Sequence, residues 1–174
     1  MPGEKMPTSA TFKTRERIWK GHFEMPFIVW TSGMSVDVKL LDNDHKKLAI
    51  LINDLHDGVM AGSAREQLER IFDELIAYSR IHFDHEELLL DEAGYSGAAA
   101  HKQEHGHKIE RILEMKARFR NGTTLADDLK LMDELKDWLV SHAQTSDQEF
   151  VAHLKATDVD SILAELDKPE GAAE

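Results

Sequence analysis

The chain of 174 residues contains no cysteine, which excludes disulfides, thiolate zinc sites, iron–sulfur clusters and thiol nucleophiles together. Any metal bound here must take nitrogen and oxygen ligands. Basic residues are few: 21 Lys and Arg stand against 33 Asp and Glu, a formal net charge of −12. No Lys/Arg-rich stripe offsets that charge, so the surface repels phosphate backbones and no nucleic acid partner is expected. Long apolar runs are also missing. Leu48 to Ile52 and Leu88 to Leu90 fall far short of the roughly 18 residues of a membrane span, so no membrane partner is expected. Residues 1–20 hold no continuous apolar segment of signal-peptide type, and the expected location is cytoplasmic. What the chain does hold is 41% hydrophobic and 31% charged residues, a balance that fits one globular domain. It also holds ten histidines.

The spacing of apolar residues organises the chain. Residues 1–26 mix Lys, Arg, Thr, Gly and Pro and read as an N-terminal extension, with a short helix possible over Thr11 to His22. Residues 27–39 are rich in β-branched side chains and read as an extended arm, anchored by Trp30. From Leu41 the apolar period becomes helical, and Leu41, His45, Leu48, Ile52, Leu55 and Val59 share one stripe as far as Gly62. Ser63 with Glu66 has the form of a capping box, opening a second helix that ends near Ala93 with Gly94 as its stop. Its inward stripe runs Leu68, Ile71, Phe72, Leu75, Ser79, His82, Glu86, Leu89. A third helix spans Ala98 to Arg120, with His101, His105, Ile109, Ile112 and Phe119 inward and Asn121-Gly122 as its end. Thr123 or Thr124 caps a fourth, whose stripe of Leu125, Leu129, Met132, Leu135, Trp138, Leu139 and His142 continues toward Phe150 and Leu154. Four long helices on short loops predict an all-α, antiparallel up-down-up-down four-helix bundle over 27–156. The remaining 157–174 form a C-terminal tail with room for one more helical turn.

The histidines fall where this pattern should be apolar. Residues four apart on a helix share a face, so His101 and His105 can meet one metal ion, as can His82 and Glu86. His45 and His142 lie on the inward stripes of the first and fourth helices. Asp147 follows His142 at a spacing of five, which an ideal helix rotating about 100° per residue would carry some 140° away. A single π-bulge between them would bring the carboxylate back. A lone inward histidine is more often a core residue than a ligand. Five imidazoles and two carboxylates on inward stripes are another matter, because each buried without a partner costs at least a few kcal/mol. A metal centre removes that cost. His22, His56, His85, His107 and His153 lie off the pattern, and the acidic residues Asp84, Glu87, Asp91, Asp127 and Asp128 read as solvated surface.

The sequence resembles the hemerythrin family, specifically single-domain bacteriohemerythrins. The resemblance rests on His45 in Leu-Leu-Asp-Asn-Asp-His-Lys-Lys-Leu, and on His82 with Glu86 in His-Phe-Asp-His-Glu-Glu. It extends through Gly94-Tyr95 to His101 and His105, then through Trp138-Leu139-Val140-Ser141-His142 to Asp147. It covers about residues 27–155. Asp44 stands where the family often has Gln, Ser96 where it often has Pro, and Ala143 where it often has Ile. None of these departures removes a ligand.

The resemblance implies two iron ions bridged by hydroxide or oxide. His101, His105 and His142 hold one, His45 and His82 the other, and Glu86 and Asp147 bridge them. It implies a binding protein for oxygen storage or transport rather than an enzyme, with O₂ held reversibly as hydroperoxide on the five-coordinate iron. Leu139, Phe83 and Trp138 are the residues expected to keep that pocket dry. A sensor of O₂ or nitric oxide, and a di-iron oxidase or peroxidase using the same site, are the alternative readings. A ferritin-like oxidase would use two Glu-x-x-His pairs, whereas this chain has one such spacing, Glu104 with His107, and His107 is off the stripe. No protein partner is legible in the sequence.

Overall fold

A computed structural model describes residues 25–121 and 124–166 of the chain. The expectations for Thr11 to His22, for Gly122 and Thr123, and for the end of the tail lie outside the described residues. Every regular element within them is helical: α1 (Lys39–Met60), α2 (Arg65–Glu92), α3 (Ala98–Asn121), α4 (Leu125–Ser141), α5 (Gln148–Lys155) and α6 (Val159–Leu166). A 3-10 turn, Ser32–Met34, precedes α1, and a π-turn, His142–Ser146, joins α4 to α5. α1 packs on α2 and α4, α2 on α3, and α3 on α4, so the four long helices close a ring. Among the described residues no helix is long and apolar enough to cross a membrane.

The helix ends show how the sequence sets the turns. Gly62 and Gly94 have φ of 67° and 65°, left-handed values that cost glycine nothing. Each allows the next residue to reach back into its helix: Ser63 N donates to Gly58 O at 2.9 Å, and Tyr95 N to Leu90 O at 2.9 Å. These bonds take up carbonyls that the helix end would leave free. The expected capping box does not form. The N-cap of α2 is Ala64, with ψ of 137° and no side-chain hydrogen bond, so Ser63 falls one residue before the cap and Glu66 one short of the position the box requires. The helices also approach closely here, as a Cβ added to Gly58 would run into the Leu68 side chain. Thr124 caps α4 as expected, its Oγ1 accepting from Asp127 N at 3.2 Å.

The arm ahead of α1 is fastened by more than Trp30. Asn53 on α1 accepts from Ile28 N at 2.7 Å and donates to Ile28 O at 3.0 Å. Ile28, Met34 and Val36 are buried, while Trp30 is only partly so, with the Lys46 ammonium 5.3 Å from its ring centre. After α5 the chain forms α6, eight residues rather than the single turn expected.

Two apolar clusters fill the bundle. The larger contains Leu48, Leu55, Phe72, Met115, Phe119, Met132, Leu135 and Leu139; the smaller contains Val36, Leu41, Leu89, Phe150 and Leu154. At the far end of the larger cluster Arg65 donates to Phe119 O at 2.8 Å and to Asp128 Oδ1 at 3.0 Å. Asp128 is therefore buried, not the solvated surface residue its position on the helix suggested.

Candidate metal centre

Between the two clusters, every long helix turns polar at one level. On α1, His45 lies between Leu41 of the smaller cluster and Leu48 of the larger; on α3, His101 and His105 lie between Ala98 and Ile109. His82 and Glu86 come from α2. His142 opens the π-turn, and the Asp147 amide donates to His142 O at 3.2 Å, five residues back. The wider turn places both side chains on the inner face, as the spacing of five requires. All seven side chains predicted from the sequence meet here, each 6% exposed or less.

The two carboxylates divide the histidines in the same way. Glu86 Oε1 lies 3.5 Å from His82 Nε2 and 3.9 Å from His45 Nε2. Glu86 Oε2 lies 3.2 Å from His101 Nε2, 3.0 Å from His105 Nε2 and 3.7 Å from His142 Nε2. Asp147 repeats the split, with Oδ2 at 3.0 Å from His45 Nε2, and Oδ1 at 3.1 Å from His142 Nδ1 and 3.9 Å from His101 Nε2. His142 also reaches across the division: its Nε2 lies 2.9 Å from His82 Nε2, and its ring stands edge-on to His45 at 5.7 Å between centres.

Polarity buried to this degree calls for a partner. Among the described residues nine fully buried side-chain nitrogen or oxygen atoms have no hydrogen-bond partner, and eight of them belong to His45, His82, Glu86, His105, His142 and Asp147. The ninth is Trp138 Nε1. Native interiors leave few such atoms, and their concentration at one level fits a cation that takes several donors at once. The electrostatics agree. Burial, reinforced by the neighbouring Asp147 charge, pushes the Glu86 carboxyl up to about 8. Burial also pushes His82 down to about 4 and lowers His101 and His142, so these imidazoles are neutral, the form that ligates metal. The donors form two groups able to hold a metal ion, His45/His82/Glu86/His142/Asp147 and Glu86/His101/His105.

Aromatic side chains surround the cluster. Phe83 stacks on His105 at 4.0 Å between ring centres and stands edge-on to His142 at 5.2 Å; Trp138 stacks on His142 at 6.2 Å. Leu139 and Ala143 are fully buried in the same apolar cluster as Phe83 and Trp138. Phe150 meets His101 edge-on at 5.1 Å from the other side.

A family model described as "Hemerythrin HHE cation binding domain" matches residues 36–154. The chain belongs to the hemerythrin family. It is 33% identical over 149 residues to a bacteriohemerythrin of Pseudomonas aeruginosa, covering 84% of this chain and 92% of that protein. A myohemerythrin-1 of Phascolopsis gouldii is 31% identical over 127 residues, covering 72% and 93%. The crystal structure of a wild-type hemerythrin superposes with a TM-score of 0.64 at 28% identity, over 74% of this chain and 98% of that one.

Four residues near this hemerythrin-type cluster escaped the sequence reading. Asp44, directly before His45, is 3% exposed. Its Oδ1 accepts from the Tyr78 hydroxyl at 2.7 Å, and its Oδ2 lies 2.7 Å from His85 Nδ1. Burial alone would raise the Asp44 carboxyl, but the polar hydrogens of His82, His85 and Tyr78 outweigh it and hold the group well below the usual range. Glu87, read as solvated surface, has Oε1 2.9 Å from His105 Nδ1. The signal for both pairings lies between helices, not along one. The other off-pattern histidines in the described region behave as expected: His56 stacks on Phe27, His153 binds the Ala93 carbonyl, and His107 is exposed.

Proposed function

We propose that this cluster holds two iron ions and that the protein binds O₂ reversibly there, as a carrier or store rather than an enzyme. His45 and His82 would hold one ion and His101, His105 and His142 the other, with Glu86 and Asp147 placed between the two sets. The observation that carries this reading is the matched division of the two carboxylates, each giving one oxygen to the His45 side and the other to the His142 side. A carboxylate serving one ion would have no reason to face two sets of imidazoles. Mixed nitrogen and oxygen donors suit iron, and a pair of ferrous ions supplies the two electrons that O₂ binding draws on.

The residues of the chain do the rest. The His45 side has two histidines against three, so it has fewer protein donors and the room for a small ligand. Phe83 and Trp138, packed on His105 and His142, and Leu139 beside them keep water away from the cluster, since water or a free proton donor would favour irreversible oxidation. Leu139 lies one turn before His142 and is fully buried. Its role is the exclusion of water, and Leu139→Ala is expected to speed autoxidation several-fold at unchanged iron content. An unchanged rate would remove Leu139 from the pocket wall.

The test of function is to load ferrous iron without air, admit O₂, then withdraw it while following the visible charge-transfer absorption. Absorption that appears and disappears over repeated cycles supports reversible binding. Absorption that appears once and decays would favour an oxidase on the same site.

A further inference from the structure

An imidazole that gives one ring nitrogen to a metal carries its proton on the other, and the partner of that proton fixes the ring. For His105 the partner is visible, with Nδ1 at 2.9 Å from Glu87 Oε1. For His82 it is not: Nδ1 is fully buried without a hydrogen bond, and Asp44 Oδ2 stands 3.8 Å away. His82 Nε2 meanwhile faces His142 Nε2 at 2.9 Å and Glu86 Oε1 at 3.5 Å.

Asp44 is held as a fixed acceptor would need to be. Tyr78 and His85 lie four residues before and three after His82, so α2 presents all three to one carboxylate from α1. Each oxygen already accepts one hydrogen bond, both of 2.7 Å, and each has a second lone pair to offer. An acidic side chain 3% exposed keeps its place and its charge only with such partners. It is a short group with a full negative charge, matched by two donors one helix away.

We propose that Asp44, clamped by Tyr78 and His85, is the positioning residue for His82. Its Oδ2, 3.8 Å from Nδ1 and so beyond hydrogen-bond distance, acts through its charge, which favours the tautomer with the hydrogen on Nδ1 and the Nε2 lone pair facing the cluster. The negative charge beside that hydrogen also makes Nε2 a stronger donor. This matters most on the His45 side of the cluster, where one misplaced ring would leave a single histidine. The inference rests on reading the cluster as a metal centre.

Two measurements on the full-length chain test it. In the metal-free protein, long-range proton–nitrogen correlation of labelled histidine reports the tautomer of His82. The wild type shows the Nδ1–H form, whereas Asp44→Leu, which carries no charge, shifts it toward Nε2–H. Chelator competition for ferrous iron then shows affinity reduced about 10–100-fold in Asp44→Leu. Asp44→Asn keeps one acceptor oxygen and recovers part of the loss. Tyr78→Phe removes only a hydroxyl and gives a smaller loss in the same direction. An unchanged His82 tautomer, or iron affinity equal to wild type in Asp44→Leu, would overturn the inference while leaving the metal centre standing. A wild-type chain that takes up no iron would overturn the metal centre itself, and the tautomer measurement would still decide what Asp44 does to His82.

Discussion

The same helices cross two kinds of layer. Around Phe72, Phe119, Met132 and Leu135 the larger cluster is closed by contact alone, with the aromatic pair 5.6 Å apart between ring centres. A few turns away the layer of His45, His82, Glu86, His101, His105, His142 and Asp147 is equally buried, yet holds most of the unpartnered polar atoms among the described residues. The apolar layer is complete as folded, because dispersion and the hydrophobic effect ask only for close packing. The polar layer is one that a cation would complete, since the Asp147 charge opposes ionisation of Glu86 and several of its imidazole nitrogens lack hydrogen-bond partners.

The two layers should therefore respond oppositely to substitution. Phe119→Ala removes a fully buried ring and is expected to cost about 3–5 kcal/mol of folding stability, with metal uptake per folded chain unchanged. Denaturant unfolding with metal analysis of the folded fraction checks both halves. Altered metal stoichiometry would mean that the layers are not independent.

His45→Leu should do the reverse in the metal-free chain. It removes two buried nitrogens without partners and is expected to raise stability by about 1–3 kcal/mol, while weakening metal uptake. A metal-free variant less stable than wild type would show that the polar layer is satisfied as it stands.

The layers also differ in their response to pH. Glu86, pushed up to about 8 from 4.5, holds a proton at neutral pH that a cation must displace. Through this group, metal affinity should rise as pH rises toward 8, by up to about tenfold per pH unit for one proton displaced, and level off above. The sign for folding is opposite. The metal-free native state keeps a proton that the unfolded chain has released, so its stability falls as pH climbs from 4.5 through about 8. Calorimetric titration in buffers of different ionisation enthalpy counts the protons released. The smallest effect belongs to a cap at the end of the bundle away from the polar layer: Thr124→Ala is expected to cost about 1 kcal/mol in thermal unfolding and to leave metal uptake untouched.

How far the sequence alone reached follows from the same contrast. Six of the seven inward side chains were legible as pairs along one stretch of helix, where a spacing of four shares a face and a spacing of five demands a π-turn; His45, alone on its stripe, was legible through the family resemblance. The pairings of Asp44 with Tyr78 and His85, of Glu87 with His105 and of Arg65 with Asp128 were not. Each joins two helices, and their relative rotation is set by packing that no single stripe records. Ser63 shows the converse failure: a local capping signal was overridden because the turn closing α1 runs through Ser63 and α2 starts one residue later, with Ala64 as its N-cap.

The most direct test of the account is anaerobic titration of the metal-free chain with ferrous iron, with bound iron and protein measured on the same sample. Two irons per chain is the predicted end point, because two carboxylates face two sets of imidazoles. Saturation at one iron, or none, would contradict it.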